Sequence, residues 1–259
     1  MLDRLLELYD EMLGAIDKNY KSKETLVTHY PMMGKLYDGD LMVIGRAVNG
    51  WRKGTYWIPN EHNLDERKRY LRNLESSHNP ITECPLEWVK NRWTPQEKGS
   101  YSTKKSAFWR MIYKTMRDLD RKEDWTSKII WSNLYKVAPA ANKNPSTLLQ
   151  KAQRDHCIQI LKEEINKWRP RHILFLTGID WAKTFIKEID GFEIKSTDSL
   201  ELVDGFGELK QGDYKGRIII AKHPQGKNEG KMNGEIRGLF GKDLQYLNDE
   251  NREYSMNKV

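Results

Sequence analysis

The stretch His172-Ile-Leu-Phe-Leu-Thr-Gly178 is a short apolar run that ends in glycine. It is short for a helix and lacks the polar–apolar alternation of a half-exposed strand, so it predicts a strand buried on both faces. Asp40–Gly45, Ser127–Asn133 and Arg217–Lys222 have the same character. Strands buried on both faces are typical of parallel sheets, so these runs predict one mostly parallel sheet.

Helical patterns alternate with these strands along the chain. Helices are predicted over residues 3–18, 64–75, 106–119, 144–168, 180–188 and 234–248. Strands that alternate with helices favour an α/β fold with helices on both faces of the sheet. We therefore expect a three-layer α/β/α sandwich with a mostly parallel central sheet of about four strands.

The chain of 259 residues is long enough for one large domain or two small ones. We interpret residues 1–248 as a single α/β domain that begins with a helical segment over residues 1–38. Residues 52–105 lack clean periodicity and hold several tryptophans and prolines among many charges, which indicates a long, partly helical insertion. Residues 249–259 read as a loose polar tail.

The net charge is +7, from 44 Lys and Arg against 37 Asp and Glu. A basic balance favours polyanionic partners such as nucleic acid, because neutralising phosphates releases counterions. Ordinary solvation with a modest basic bias explains the same charge, and the composition leaves both interpretations open.

The two cysteines, Cys84 and Cys157, form no CxxC pair. A cysteine-based zinc site or iron–sulfur cluster is therefore not expected, and no metal or other cofactor is indicated. The absence of a disulfide framework fits a reducing compartment, and we expect a cytoplasmic protein. Residues 1–20 mix charges into an apolar pattern, which differs from a signal peptide, and no apolar run is long enough to span a membrane.

Chemically useful residues follow several of the predicted strands. Ligands of open α/β sheets bind beyond the carboxyl ends of the strands, so these positions are the candidate site. Gly45 and Gly50 let a backbone approach a ligand closely. Asn133 offers a donor and an acceptor to the edge of a nucleobase, and His223, followed by Pro224, can donate a hydrogen bond to an oxyanion.

The order of these strand ends resembles the uracil-DNA glycosylase superfamily over residues 39–245. Ile129–Pro139 is similar to the family's second-strand segment, and His223-Pro-Gln-Gly226 is similar to its His-Pro-Ser motif. The resemblance implies DNA as the partner and Asn133 as the reader of the base edge. It also implies that His223 supports the carbonyl oxygen of the leaving base and that the loop beside it enters the minor groove.

The first motif departs from the family pattern Gly-x-(Asp/Asn/Ala)-Pro-(Tyr/Gly). Gly45-Arg-Ala-Val-Asn-Gly50 stands in its place, without the proline and with no carboxylate as far as Arg52. Members of the family that activate water carry Asp, Asn or Glu there. Asn49 can orient a water molecule by hydrogen bonding but cannot take its proton.

Further candidate contacts surround these motifs. Arg46 is a candidate contact to a base or phosphate, and Trp51 can stack on a flipped base; a solvated arginine and a core tryptophan are the alternatives. Lys222, Lys227 and Lys136 are predicted to hold phosphates, although lysines more commonly lie on solvated faces.

Two main functions follow from these residues. The first is excision or binding of a damaged or deaminated base in DNA, with the base flipped into the pocket at the strand ends. The second is a non-catalytic nucleic-acid or nucleotide binder on the same fold, which the absent carboxylate favours. A third possible function is a small-metabolite site, or a protein-interaction surface built by the insertion. The insertion can also supply the missing carboxylate to the pocket, for example from Asp65 or Glu66. The sequence does not indicate an oligomeric state.

Overall fold

The computed structural model describes residues 3–48, 56–59, 63–78, 83–94, 101–141, 143–195 and 199–240. The helices are α1 (Arg4–Asn19), α2 (Leu64–Ser76), α3 (Glu87–Asn91), α4 (Ala107–Asp118), α5 (Thr147–Trp168), α6 (Ile179–Ile186) and α7 (229–240). The strands are β1 (Leu26–Thr28), β2 (Met32–Met33), β3 (Leu41–Gly45), β4 (Tyr56–Trp57), β5 (Ile129–Asn133), β6 (Val137–Pro139), β7 (His172–Leu176), β8 (Val203–Gln211) and β9 (Tyr214–Ala221).

The main sheet has six strands in the order β2-β5-β3-β7-β9-β8. Its inner strands β5, β3, β7 and β9 are parallel and correspond to the apolar runs that predict strands in the sequence. β2 and β8 flank them and run antiparallel to their neighbours. The sheet is therefore mixed and larger than the expected sheet of about four strands.

The two additional strands have weak sequence signals. β2 contains only two residues, which is too short for a periodic pattern. β8 has the sequence VDGFGELKQ, in which glycine and charged residues interrupt the apolar positions. It forms a hairpin with β9 and has a β-bulge between Val203 and Gly205.

Side chains of the inner strands alternate between two apolar clusters. Met42 and Ile44 of β3 pack into the cluster that includes α1, α5 and α6. Leu41 and Val43 pack into the opposite cluster, which includes α3, α4 and α7. Helices thus cover both faces of the sheet in three layers, which explains why the inner strands are apolar throughout.

The helix predicted over residues 3–18 corresponds to α1, but the rest of the N-terminal segment, which was interpreted as helical up to residue 38, is not helical. α1 ends at Asn19, and the chain then contributes β1 and β2. β1 lies between β4 and β6 in a separate, antiparallel three-stranded sheet. Tertiary pairing of these short strands overrides the weak local pattern.

The described parts of the insertion contain α2 and α3. α2 begins with a capping box, in which the Asn63 side chain accepts from the Glu66 backbone and the Glu66 side chain accepts from the Asn63 backbone. The predicted tail, 249–259, lies outside the described residues. Among the helices within the described ranges, none is long and apolar enough to cross a bilayer.

A buried ionic network fixes the chain just after β5. The Lys136 ammonium donates to Glu164 Oε1, Ser132 Oγ and the Asn133 carbonyl, each at 2.7 Å. Ser132 Oγ in turn donates to Glu164 Oε2 at 2.8 Å. Lys136 and Glu164 side chains are both 0% exposed. The prediction that Lys136 holds a phosphate is therefore wrong, because its three donors are all used inside the protein.

Replacing Lys136 with methionine is expected to lower the free energy of unfolding by about 3–5 kcal/mol, because the Glu164 carboxylate stays buried without its partner. The double variant Lys136→Met/Glu164→Leu should recover much of this loss. Urea denaturation followed by circular dichroism measures both, with Lys151→Met on the exposed face of α5 as the control. A loss no larger than that of the control would contradict the structural role of the pair.

Candidate functional site

The carboxyl ends of β5, β3, β7 and β9 meet at one edge of the sheet because these strands are parallel. β3 is the first of them in the chain, and its successors β5 and β7 lie on opposite sides of it. The chain passes from β3 to β5 on one side and from β7 to β9 on the other side, so the connections after β3 and β7 run in opposite directions. Such a switch point opens a crevice at the edge of the sheet, where ligands of open α/β sheets bind.

An open cleft of about 440 Å³ lies at this edge. The loops after β3, β7 and β9, the first turn of α6 and the β8 bulge provide its walls. Its lining residues are Arg46, Thr177, Gly178, Ile179, Asp180, Trp181, Asp204, Lys222, His223, Gln225 and Lys227. Of the predicted site residues, the structure thus brings Arg46, Lys222, His223 and Lys227 together.

Arg46 is held against the loop that follows β7. Its Nε donates to the Thr177 carbonyl at 2.7 Å, and its guanidinium carbon lies 5.2 Å from the centre of the Trp181 ring. Partial burial lowers the pKa of Arg46, while the charge of Asp180 opposes this shift. Arg46 is therefore a fixed cation in the wall of the cleft rather than a freely solvated side chain.

The His223 imidazole is neutral at physiological pH. Burial, followed by the positive charge of Arg46, lowers its pKa to about 4. Its Nδ1 accepts a hydrogen bond from the Gln225 backbone N–H at 3.3 Å. A neutral imidazole that accepts at Nδ1 carries its proton on Nε2, so His223 is a hydrogen-bond donor at Nε2.

Lys222 and Lys227 bring two further cations to the same cleft. The Lys222 ammonium lies 4.0 Å from Asp204 Oδ1, and its side chain is 40% exposed. Lys227 is exposed on the loop that carries His223. Lys231, farther along the chain, forms an ion pair with Glu201. Lys222 and Lys227 therefore add positive charge to that of Arg46 in the cleft that holds His223.

Asn133 is buried and does not line this cleft. It pairs in register with Gly45, and a Cβ at Gly45 would overlap Asn133 Oδ1 and contact the Phe108 ring. The glycine thus makes room for the amide. Asn133 Nδ2 is buried and has no hydrogen-bond partner among the described residues. An unpaired buried donor is costly in a folded protein, so this amide is a candidate ligand contact beside the cleft.

Three predicted residues cannot be placed. Asn49, Gly50 and Trp51 lie outside the described residues, so their roles in orienting water, letting the backbone approach a ligand and stacking on a base stay predictions. Asp65 and Glu66 were considered as carboxylates supplied by the insertion. They lie in the first turn of α2 and are not among the residues that line the cleft.

The sequence analysis missed the two carboxylates that do line the cleft, Asp180 and Asp204. Asp180 is exposed and lies in the first turn of α6, shortly after β7 ends at Leu176, so its position after an apolar strand was a usable signal. Asp204 lies at the β8 bulge, where Oδ2 accepts from the Ile179 backbone N–H at 2.9 Å. A bulge redirects side chains in a way that sequence periodicity does not reveal. Within the part of the chain that the structure describes, no group of three or more His, Cys, Asp or Glu could hold a metal ion.

The fold and the cleft define an open-sheet α/β protein with a candidate ligand site at the carboxyl edge of its strands. The family model of the uracil DNA glycosylase superfamily matches residues 91–247, and the chain belongs to this superfamily. The matched region includes Asn133 and His223 but begins after the altered first motif. No curated protein sequence is similar enough to the chain to count as a match.

His223 is expected to titrate with a midpoint at about pH 4 in the folded protein, against about 6.5 in an unfolded chain. Arg46→Gln should raise the midpoint, because it removes the positive charge that opposes protonation. NMR of ¹⁵N-labelled histidine measures both values and the tautomer.

The same shift has a consequence for stability. The unfolded chain binds this proton more readily than the folded protein, so the His223 contribution to the free energy of unfolding falls as the pH drops from about 6.5 to about 4. A wild-type midpoint near that of the unfolded chain would contradict the buried, neutral imidazole.

Proposed function

We propose that this protein excises a damaged or deaminated base from DNA by hydrolysing its N-glycosidic bond. The observation that carries the proposal is the position of His223 in the cleft of a superfamily member, where its Nδ1 accepts from the Gln225 backbone N–H and leaves Nε2 to donate. Bond cleavage leaves negative charge on the departing base. A neutral donor stabilises that charge without having to lose a proton first.

The target base reaches such a site only after leaving the helical stack. Flipping costs a few kcal/mol and is easiest for a mismatched or unpaired base. The cleft of about 440 Å³ is large enough for a planar base and open to one side. Its walls can then bind the flipped nucleotide, with Arg46 as a proposed base contact. Trp51, which lies outside the described residues, is a further proposed base contact.

Asn133 is the proposed reader of the base edge. Its Nδ2 donor is buried and unpaired among the described residues, as a donor reserved for a ligand would be. The amide lies behind Gly45 rather than in the wall of the described cleft. Base reading by Asn133 therefore requires the base to bind close to the backbone of Gly45, which has no side chain to block its approach.

A non-catalytic binder on the same fold is the second candidate. The observation that favours it is the absence of a carboxylate between Gly45 and Arg52, where Asn49 can only orient water. Such a protein would bind the same DNA without releasing a base. Binding and release measured on one set of oligonucleotides separate the two functions.

His223→Ala is expected to lower the single-turnover rate of base release by about 10²–10³, because the oxyanion of the leaving base loses its donor. Release of uracil, xanthine, hypoxanthine or thymine from duplex and single-stranded oligonucleotides is the measurement. His156→Ala on α5, which does not line the cleft, is the control. Release of none of these bases by the wild-type protein would rule out the enzymatic function.

DNA binding is expected to weaken steeply with salt, because Lys222 and Lys227 are proposed to contact phosphates. The double variant Lys222→Ala/Lys227→Ala should reduce the slope of log K against log salt by about 0.9 for each lost contact. Fluorescence anisotropy with a labelled duplex measures the slope. Lys35→Ala/Lys215→Ala, at the opposite edge of the sheet, is the matched control. A flat salt response of the wild-type protein would count against a polyanionic partner.

A further inference from the structure

Hydrolysis of a glycosidic bond is faster by about 10²–10⁴ when a positioned group accepts a proton from the attacking water. Residues 45–52 contain no carboxylate. His223 is a poor acceptor, because its Nδ1 already accepts a hydrogen bond and its Nε2 carries the proton. If the proposed function holds, the proton acceptor must come from another part of the cleft.

The loop after β7 supplies a carboxylate in the right place. β3 and β7 pair in register up to Ile44 and Phe175, so their following loops start side by side. The hydrogen bond from Arg46 to the Thr177 carbonyl joins the two loops. Asp180, in the first turn of α6, lines the same cleft as His223. The neighbouring loop thus offers the charge that the first motif lacks.

The two carboxylates of the cleft differ in how far they are already engaged. Asp204 accepts from the Ile179 backbone N–H and lies 4.0 Å from the Lys222 ammonium. Asp180 is exposed and makes no hydrogen bond or ion pair of its own with the described residues. Its negative charge opposes the lowering of the pKa of Arg46 by burial, and the positive charge of Arg46 in turn adds to burial in lowering the pKa of His223. Asp180 is therefore the carboxylate available to a water molecule.

We propose that Asp180 is the general base of the proposed hydrolysis. The water oxygen forms a bond to the sugar C1′ as its proton passes to the Asp180 carboxylate. The bond between C1′ and the base nitrogen breaks, and its electron pair leaves with the base. His223 Nε2–H donates a hydrogen bond to the resulting anion, which then takes a proton from solvent. This assignment rests on the proposed function.

A purely structural role for Asp180 makes a different prediction. An acidic residue in the first turn of a helix interacts favourably with the positive end of the helix dipole. Loss of that interaction lowers stability but leaves the pH dependence of the chemical step unchanged. The shape of the pH–rate profile therefore separates a catalytic carboxylate from a stabilising one.

The test compares Asp180→Asn with the wild-type protein in single-turnover release of the preferred base from single-stranded DNA. The rate should fall by about 10²–10⁴, and the acid limb of the pH–rate profile should disappear. DNA affinity, measured by anisotropy, should stay within about threefold, a change too small to account for the lost rate. Asp180→Glu should restore part of the rate, because it keeps a carboxylate near the water.

Asp65→Asn is the matched control, since Asp65 is an exposed carboxylate in the first turn of α2 outside the cleft. It should leave the rate and the pH profile unchanged. If the wild-type protein releases base and Asp180→Asn keeps both the rate and the acid limb, the assignment of Asp180 is overturned while the proposed function stands. If the wild-type protein releases no base, the proposed function fails and the assignment fails with it.

Discussion

The in-register pairing of β3 with β5 on one side and β7 on the other determines the rest of the site. This pairing places Gly45 beside Asn133 and brings Arg46 within reach of the Thr177 carbonyl. A slip of one residue would send every side chain of β3 to the opposite face of the sheet. The buried apolar clusters on both faces therefore hold the register that the cleft requires.

The sequence predicted the inner part of the sheet well because burial on both faces leaves a direct mark on composition. His172–Leu176 is apolar throughout for that reason. The rule about strand ends selected His223, Arg46, Lys222 and Lys227, which line one cleft, while their roles stay predictions. β2 was missed because two residues carry no period. Residues 192–210 predict short strands or a hairpin, which agrees with β8, although Gly205 and Gly207 lie within this strand rather than in a turn.

The errors at the site arose from side-chain direction, which strand boundaries do not specify. Lys136 follows β5 closely enough to suggest a phosphate contact, yet its side chain is buried and forms an ion pair with Glu164. That partner lies 28 residues away, and nothing local to Lys136 identifies it. Asp180 was overlooked for the opposite reason. In the sequence it is an ordinary acidic residue in the first turn of a helix, and only the structure shows that it lines the cleft with Arg46 and His223. Long-range contacts decide both.

The close approach of Gly45 to Asn133 couples substitutions at two positions that are distant in the sequence. Any side chain at the first position displaces the amide at the second, so the effects of changes at the two positions will not add. Replacing Asn133 with a smaller residue would relieve this overlap and make room for a side chain at position 45. Libraries that vary Asn133, the proposed reader of the base edge, must therefore vary position 45 together with it.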